Sequence, residues 1–459
     1  MIMLTEDAWT NTFSRIILNK TEPTHTGALL AAFAERSRLI IVIQSGGFDN
    51  NMTPEKLLRE AKSIQELIVQ ERRTLHQNAE TGFALNLTLA FVKQELTDIG
   101  LQPVECGKAG ITALVGGKKP GRVFLLRADM DALPIREEAD VAFASQNGNM
   151  HACGHDMHTA MLLGAARLLK AHEDEIEGTI KLMFQPAEEI FEGSQDMIEA
   201  GLLENPKVDA ALMIHVMAGM PFPAGTVIVS APGVSAPAAD YFEIKVQGKG
   251  CHGSMPNNGI DPLTTAAHIL IALQEIQARE LAMGERAVLT VGTLHAGTAA
   301  NAIPDMATMG GSIRTFDEET RSYIKKRMTE IAEGVAKSFR AEASVAFGSG
   351  CPTLVNDRAL SECIDVYLKE LLGKEKALSV AALNAAEGGG TGSKSAGSED
   401  FAYVSQKVPS IMLALASGQP EKGYCYPQHH PMAKFDESVL SNGSAVYAYA
   451  ALRWLEEHK

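Results

Sequence analysis

The chain has 459 residues, 46% hydrophobic and 21% charged, the balance of a globular protein with material for more than one core. Its formal net charge is −15 with no long Lys/Arg run, which excludes a nucleic-acid binder with a basic face but not a small anionic substrate. The six cysteines are scattered rather than spaced as a secreted disulfide framework. The longest early apolar run, 39–43, is too short to cross a bilayer and lacks the layout of a signal peptide, so a cytoplasmic protein without membrane or nucleic-acid partners is expected.

Residues 1–51 carry no amphipathic period that continues past residue 52, and they read as an N-terminal extension. Thr53-Pro54-Glu55 supplies a cap, a proline and an acid, the opening of a helix, so the folded domain is expected to begin at residue 52. The stretch 54–101 reads as two helices. Segment 122–128 (RVFLLRA) reads as a short buried strand ending in Asp129-Met130-Asp131. A helix with Leu162, Ala165, Ala166 and Leu169 on one face is expected over 159–171. Strands come next at 179–185, ending in Pro186-Ala187-Glu188-Glu189, and at 210–214, ending in His215; another is expected at 410–415.

The middle of the chain changes character. Segment 241–247 alternates, with Phe242, Ile244 and Val246 on one face. Asp261-Pro262 opens a helix to about residue 281; strands at 288–294 and 308–316, a helix at 317–339 and a strand at 343–347 complete a βαββαβ order. The expected architecture is an α/β domain (52–236 and 350–459) interrupted by a ferredoxin-like α+β domain at 237–349. The stretch 388–398 (GGGTGSKSAGS) reads as a flexible loop in the second half.

Polar residues cluster at the carboxyl ends of the strands, where open α/β sheets bind ligands. His151, Cys153, His155, Asp156 and His158 put five candidate metal ligands into eight residues. A lone histidine is more often structural, but a Cys-x-His with further His and Asp beside it suits zinc and similar borderline metals. Glu188 and Glu189 repel each other unless a cation sits nearby; one as ligand and one as proton carrier would resolve this, whereas alone the pair would be a solvated acidic loop. Asp131 is a candidate to orient a ligand histidine, and Asp129 can serve as a turn cap. His215 suits a neutral imidazole ligand, its alternative being a core histidine. Of His429 and His430, adjacent in a loop rich in Tyr and Pro, only one can readily face a given ion.

The motifs RADMDALP (127–134), MHACGHDMHTA (150–160), FQPAEE (184–189), GKGCHGSMPNNGIDP (248–262), NAIPD (301–305), GSEDF (397–401) and HHP (429–431) resemble those of the M20 metallopeptidase superfamily, in its hippurate hydrolase, N-acyl-amino-acid and auxin-conjugate amidohydrolase branch. The resemblance spans about 52–459. It implies a zinc-peptidase-like α/β catalytic domain whose inserted domain mediates dimerisation, giving a homodimer or a tetramer. It implies two divalent metal ions (Zn, Mn, Co or Ni) held by Cys153, His155, Glu189, His215 and His429. It further implies Glu188 as general base, Asp131 as the orienting aspartate, and His252 as an oxyanion-stabilising group reaching the partner's active site. Asn301 and Arg314 match substrate-holding positions. The chain departs from the family where Arg72-Arg73-Thr74-Leu75-His76-Gln77 is followed by Ala79-Glu80 instead of Pro-Glu.

The resulting expectation is amide hydrolysis of an N-acyl amino acid by a metal-activated water. The alternatives are a dipeptidase or aminopeptidase of the same superfamily, and a non-catalytic metal-binding protein, which would need neither Glu188 nor His252.

Overall fold

A computed structural model describes residues 52–381, 383 and 397–459; the N-terminal extension and residues 388–396 of the Gly/Ser loop lie outside them. The elements run α1 (Pro54–Ser63), α2 (Gln65–Gln77), α3 (Asn86–Asp98), β1 (Val104–Cys106), β2 (Gly110–Gly116), β3 (Val123–Asp129), α4 (His155–Ala171), β4 (Thr179–Gln185), α5 (Gly193–Glu199), β5 (Ala210–Met217), β6 (Val227–Val229) and β7 (Gly233–Ala236). They continue as β8 (Ala238–Gln247), β9 (Cys251–His252), α6 (Pro262–Glu275), β10 (Ala287–Ala296), β11 (Ala302–Ile303), β12 (Met306–Thr315), α7 (Glu318–Ser338) and β13 (Glu342–Cys351). The chain then forms β14 (Leu354–Asn356), α8 (Arg358–Leu372), β15 (Ala377–Ser379), β16 (Ser410–Ala416) and α9 (Leu440–Glu457).

The large sheet has the order β1-β2-β4-β3-β5-β16-β6-β15. Its four inner strands β4, β3, β5 and β16 are parallel, whereas β1, β2 and β6 join antiparallel. The parallel strands read as near-continuous apolar runs because helices cover both faces of such a sheet. Every residue of β3 is buried, including Arg127 and Asp129. The helix α4 packs between β3 and the helices α2 and α9.

Three local expectations change. The stretch 54–101 forms three helices, since the backbone leaves helical geometry at Ile64 (φ −101°, ψ 7°) and again around the loop containing Gly82. The helix expected from residue 159 begins at His155, because Gly154 takes a left-handed turn (φ 95°) that starts it earlier. His215 lies within β5 rather than past its end, the ladder with β16 running on to Met217. The hairpin β1–β2, the short strands β6, β7, β14 and β15, and the helices α8 and α9 carried too little pattern to be expected.

A separate antiparallel sheet, ordered β10-β12-β8-β13, carries α6 and α7 over a core that includes Phe242, Ile244, Val246, Ile269, Leu273, Ile324 and Met328. This is the ferredoxin-like arrangement expected from the βαββαβ order. Asp261 and Asp317 cap the two helices, Asp261 accepting the N–H of Leu263 and Thr264 and Asp317 that of Thr320.

Candidate metal centre

The cleft forms where β3, β4 and β5 deliver polar residues to one edge of the sheet. Gly154 sets the Cys153–His155 pair: an added Cβ there would meet Val216 Cγ2 at 2.4 Å, so only glycine makes this turn against β5. Strain gathers around the same place. Of the five non-glycine residues with positive φ among the described residues, Ala187, Phe191 and His429 flank the cleft.

The side chains converge in overlapping groups. One ligand atom each from Cys153, His155 and His215, from Cys153, Glu189 and His429, and from His155, Glu188 and Glu189 lie within 4.8 Å of one another. His155 turns Nδ1–H to the Asp131 carbonyl at 2.7 Å, and His215 turns its own to the Val216 carbonyl at 2.7 Å. His215 therefore presents a bare Nε2 to the cleft. His155 aims its Nε2 there as well, and against the pull of burial Asp129 and Cys153 hold this imidazole well above its ordinary range. His155 Nε2 faces Glu188 Oε2 and Glu189 Oε1 at 3.9 Å each, and His429 Nε2 stands 3.5 Å from Glu189 Oε1. His429 is pinned through its N–H to the Ala152 carbonyl at 3.0 Å. His430 turns away and stacks on Tyr426.

Asp131 holds a histidine through its main-chain carbonyl. Its carboxylate does something the sequence did not suggest: Oδ1 and Oδ2 accept the N–H of Glu188 (2.9 Å) and Glu189 (3.2 Å), clamping the acidic pair.

The charges do not balance within the chain. Burial, Glu399 and Glu189 push the Glu188 carboxyl well above its ordinary range. Burial, with Asp131 and Asp129, raises Glu189 to about 7. Burial and Glu189 also push the Cys153 thiol up. Burial lowers His215 to about 3 and keeps it neutral. Among the described residues, the buried Nε2 of His155 and Oε1 of Glu189 meet no hydrogen-bond partner. Orphaned donors of this kind, mixed thiolate, imidazole and carboxylate with excess acid, suit borderline divalent cations.

Three of the five candidates in the HACGHDMH run point elsewhere. Asp156 accepts from Arg72 Nε at 2.6 Å and pairs with His76 Nδ1 at 2.8 Å; against the pull of burial, these cations hold its carboxyl well below the usual range. His151 is buried with neither ring nitrogen partnered among the described residues, and burial lowers it to about 3. His158 is fully enclosed, bonded to Asp129 and to the backbone of β5.

Sequence reasoning missed the floor of the cleft. Buried Arg127 meets Asp129 Oδ2 at 2.7 Å, Glu399 Oε1 at 2.8 Å and Gln185 Oε1 at 2.8 Å, while Gln185 donates to Asp400. The signal was present: one arginine inside an apolar strand needs buried carboxylates, and Glu399-Asp400 supply them.

The small-domain residues stand apart from this cluster. His252 is exposed, its Nδ1 accepting from Ser254 N–H (3.2 Å) and Oγ–H (2.8 Å), and no hydrogen bond or ion pair joins it to the cleft residues of its own chain. Asn301 is also exposed and binds Gly253 N–H through its carbonyl. Arg314 reaches back to the large domain, donating to Ser398 Oγ at 2.7 Å and lying over Phe191 and Tyr241.

Comparison with known proteins accords with this geometry. Residues 125–453 match the model of peptidase family M20/M25/M40. An N-acetyl-L-cysteine deacetylase of Bacillus subtilis is 35% identical, the match covering 86% of this chain and 90% of that protein. A thermostable carboxypeptidase 2 of Saccharolobus solfataricus is 38% identical over 87% of this chain and 98% of its own length. An IAA-amino acid hydrolase ILR1-like 2 of Arabidopsis thaliana is 35% identical over 89% and 90%. Among solved structures, a dinuclear metal binding peptidase of the M20 family from Bacillus subtilis superposes with TM-score 0.69 at 32% identity, covering 86% of this chain and 99% of that one. A putative aminohydrolase from methicillin-resistant Staphylococcus aureus superposes with TM-score 0.79 at 31% identity, covering 88% and 100%.

Proposed function

The chain belongs to peptidase family M20/M25/M40 as a metal-dependent amidohydrolase, and from that premise we propose that it cleaves the amide bond of N-acyl amino acids, N-acetyl or hippurate-like, to a carboxylic acid and a free amino acid. The carrying observation is the convergence of Cys153, His155, Glu189, His215 and His429 around orphaned donor atoms, with Glu188 beside them. In this reading those five residues hold two divalent ions, zinc, manganese, cobalt or nickel. Such ions supply Lewis acidity to the amide carbonyl and bring a water's pKa towards neutrality.

The remaining work falls to side chains. Glu188 takes the proton from the attacking water and passes it to the leaving amine nitrogen. Asp131 fixes its backbone by accepting the Glu188 N–H. Arg314 and Asn301 take the substrate carboxylate; Arg314 is already braced by Ser398 and two aromatic rings. His252 donates to the oxyanion. Because no hydrogen bond or ion pair among the described residues joins it to its own cleft, we assign it to the cleft of a partner subunit, which makes a homodimer the smallest working assembly, with a tetramer built from such dimers as the larger form. In this scheme 52–236 and 350–459 form the catalytic domain, 237–349 carries the dimer contact, and 1–51 is an extension. No helix of the described residues is long and apolar enough to cross a membrane. The six cysteines are all free, which suits the reducing cytoplasm in which we place the enzyme.

The 38% identity to a carboxypeptidase favours a second reading, cleavage of peptides next to a free carboxylate. The two readings separate in a panel of N-acetyl, N-benzoyl and dipeptide substrates, followed by free amino acid released with and without added manganese or zinc. Release from acyl-amino acids that a chelator abolishes supports the first. Release from peptides alone moves the assignment to a peptidase, and no release refutes both.

A further inference from the structure

His158 is the member of the HACGHDMH run that the proposed chemistry leaves idle. Its surroundings give it another task. The β3–β5 ladder stops at Arg127 and Met213, yet β5 continues. Two of its N–H groups beyond that point find side-chain acceptors: Ile214 N–H donates to the Tyr447 hydroxyl at 3.1 Å, and Val216 N–H donates to His158 Nε2 at 2.8 Å. An acceptor at Nε2 puts the ring proton on Nδ1, which lies 2.6 Å from Asp129 Oδ1 and donates to it. Both nitrogens are thus consumed, and the ring has no lone pair left for an ion.

Val216 is the residue whose carbonyl takes the Nδ1–H of His215. The same residue therefore receives His158 on one side and aims His215 on the other. The two rings meet edge-on with centroids 4.6 Å apart. Asp129 at the far end is itself anchored by Arg127.

We propose that His158 is a positioning residue for His215: a neutral imidazole strut, footed on Asp129, that fixes the Val216 backbone and hence the direction of His215 Nε2. This rests on the reading of His215 as a metal ligand. Outer partners of ligand histidines commonly hold about 10–100-fold of metal affinity, and a strut acting through the backbone should do the same.

The two contacts can be separated. In His158→Gln the amide can take the place of Nε2 and keep an acceptor for Val216; His158→Asn keeps only a donor for Asp129. Full-length protein, stripped of metal, is titrated with cobalt(II) by calorimetry, and the visible absorption of the cobalt-loaded protein is recorded. His158→Gln should bind within about threefold of the parent, with an unchanged spectrum, whereas His158→Asn should weaken about 10–100-fold with an altered ligand field. Equal weakening in both variants, or none in either, overturns the proposal. Should His158→Asn fail to fold, a loss of about tenfold or more in a His158→Gln protein whose denaturant midpoint is that of the parent also overturns it. His215→Ala is the control: if it binds cobalt as the parent does, the ligand reading falls, and that outcome is distinct from failure of the strut.

Discussion

The sulphur of Cys153 lies 3.5 Å from Nε2 of His215. Since the Nδ1–H of His215 is spent on a backbone carbonyl, the thiol is the only proton donor in that contact. As a metal ligand Cys153 would have to give up that proton and bind as the thiolate, which would couple metal binding to proton release.

Removing metal should therefore cost stability as well as turnover. Chelator-treated protein should melt at a lower temperature than metal-loaded protein, and readdition of zinc or manganese should restore both Tm and activity. Cys153→Ser should bind metal at least about 10-fold more weakly by chelator competition. Parent-like affinity in this variant would remove Cys153 from the ligand set.

Glu188→Gln should keep its metal and lose turnover. The amide preserves shape but carries no proton, so kcat should fall by about 10²–10⁴-fold while metal content by elemental analysis stays that of the parent. Loss of metal together with activity would make Glu188 a ligand instead.

A second buried acid should shape stability against pH. Glu71 and Glu95 both pair with Arg167, at 2.5 and 2.7 Å, so two carboxylates share one cation. Burial, offset in part by Arg167 and reinforced by Glu95, raises Glu71 from 4.5 to about 8. A carboxyl raised on folding binds its proton more tightly in the native state. Its contribution is complete below the unfolded value and fades as pH climbs through the folded one, at up to about 1.4 kcal/mol per pH unit. Glu71→Gln should therefore gain on the parent in denaturant midpoint as pH rises from the unfolded value towards about 8. A constant difference across that range would show that Glu71 is ionised throughout.

Tyr447 provides a test of the sheet itself. Its hydroxyl accepts the Ile214 N–H and donates to the Arg127 carbonyl at 2.7 Å, bridging β3 and β5 where their ladder ends. Tyr447→Phe should destabilise the protein by about 1–3 kcal/mol in equilibrium unfolding, since both backbone groups are buried and lose a partner. A neutral outcome would mean that water replaces the hydroxyl.

Much of the fold could be read from local pattern, and the reasons are physical. The runs 179–185 and 210–214 are apolar because helices cover both faces of the parallel sheet, and alternation in 241–247 reflects a sheet covered on one face. Asp131, Glu188, Glu189 and His215 stood out as candidates because each lies at or just past the end of such a run, whereas Cys153, His155 and His429 stood out through their motifs. The HACGHDMH run also offered Asp156 and His158, which the resemblance leaves outside the ligand set, and their actual neighbours come from distant segments: Arg72 lies 84 positions from Asp156, and Val216 58 positions from His158. Nothing in the local sequence says which histidine nitrogen is already occupied. The Arg127 network was hidden for the same reason, its carboxylates Glu399 and Asp400 arriving from beyond the inserted domain.

The bridge at Tyr447 joins positions 320 residues apart, across the whole insertion. Closing so long a loop carries an entropic cost that only the completed packing of α9 against β3 and β5 repays. During synthesis Cys153, His155, Glu189 and His215 emerge early, but His429 and the last helix arrive only at the end of the chain. A chain halted before residue 440 therefore lacks both the Tyr447 bridge and the helix that packs against β3 and β5.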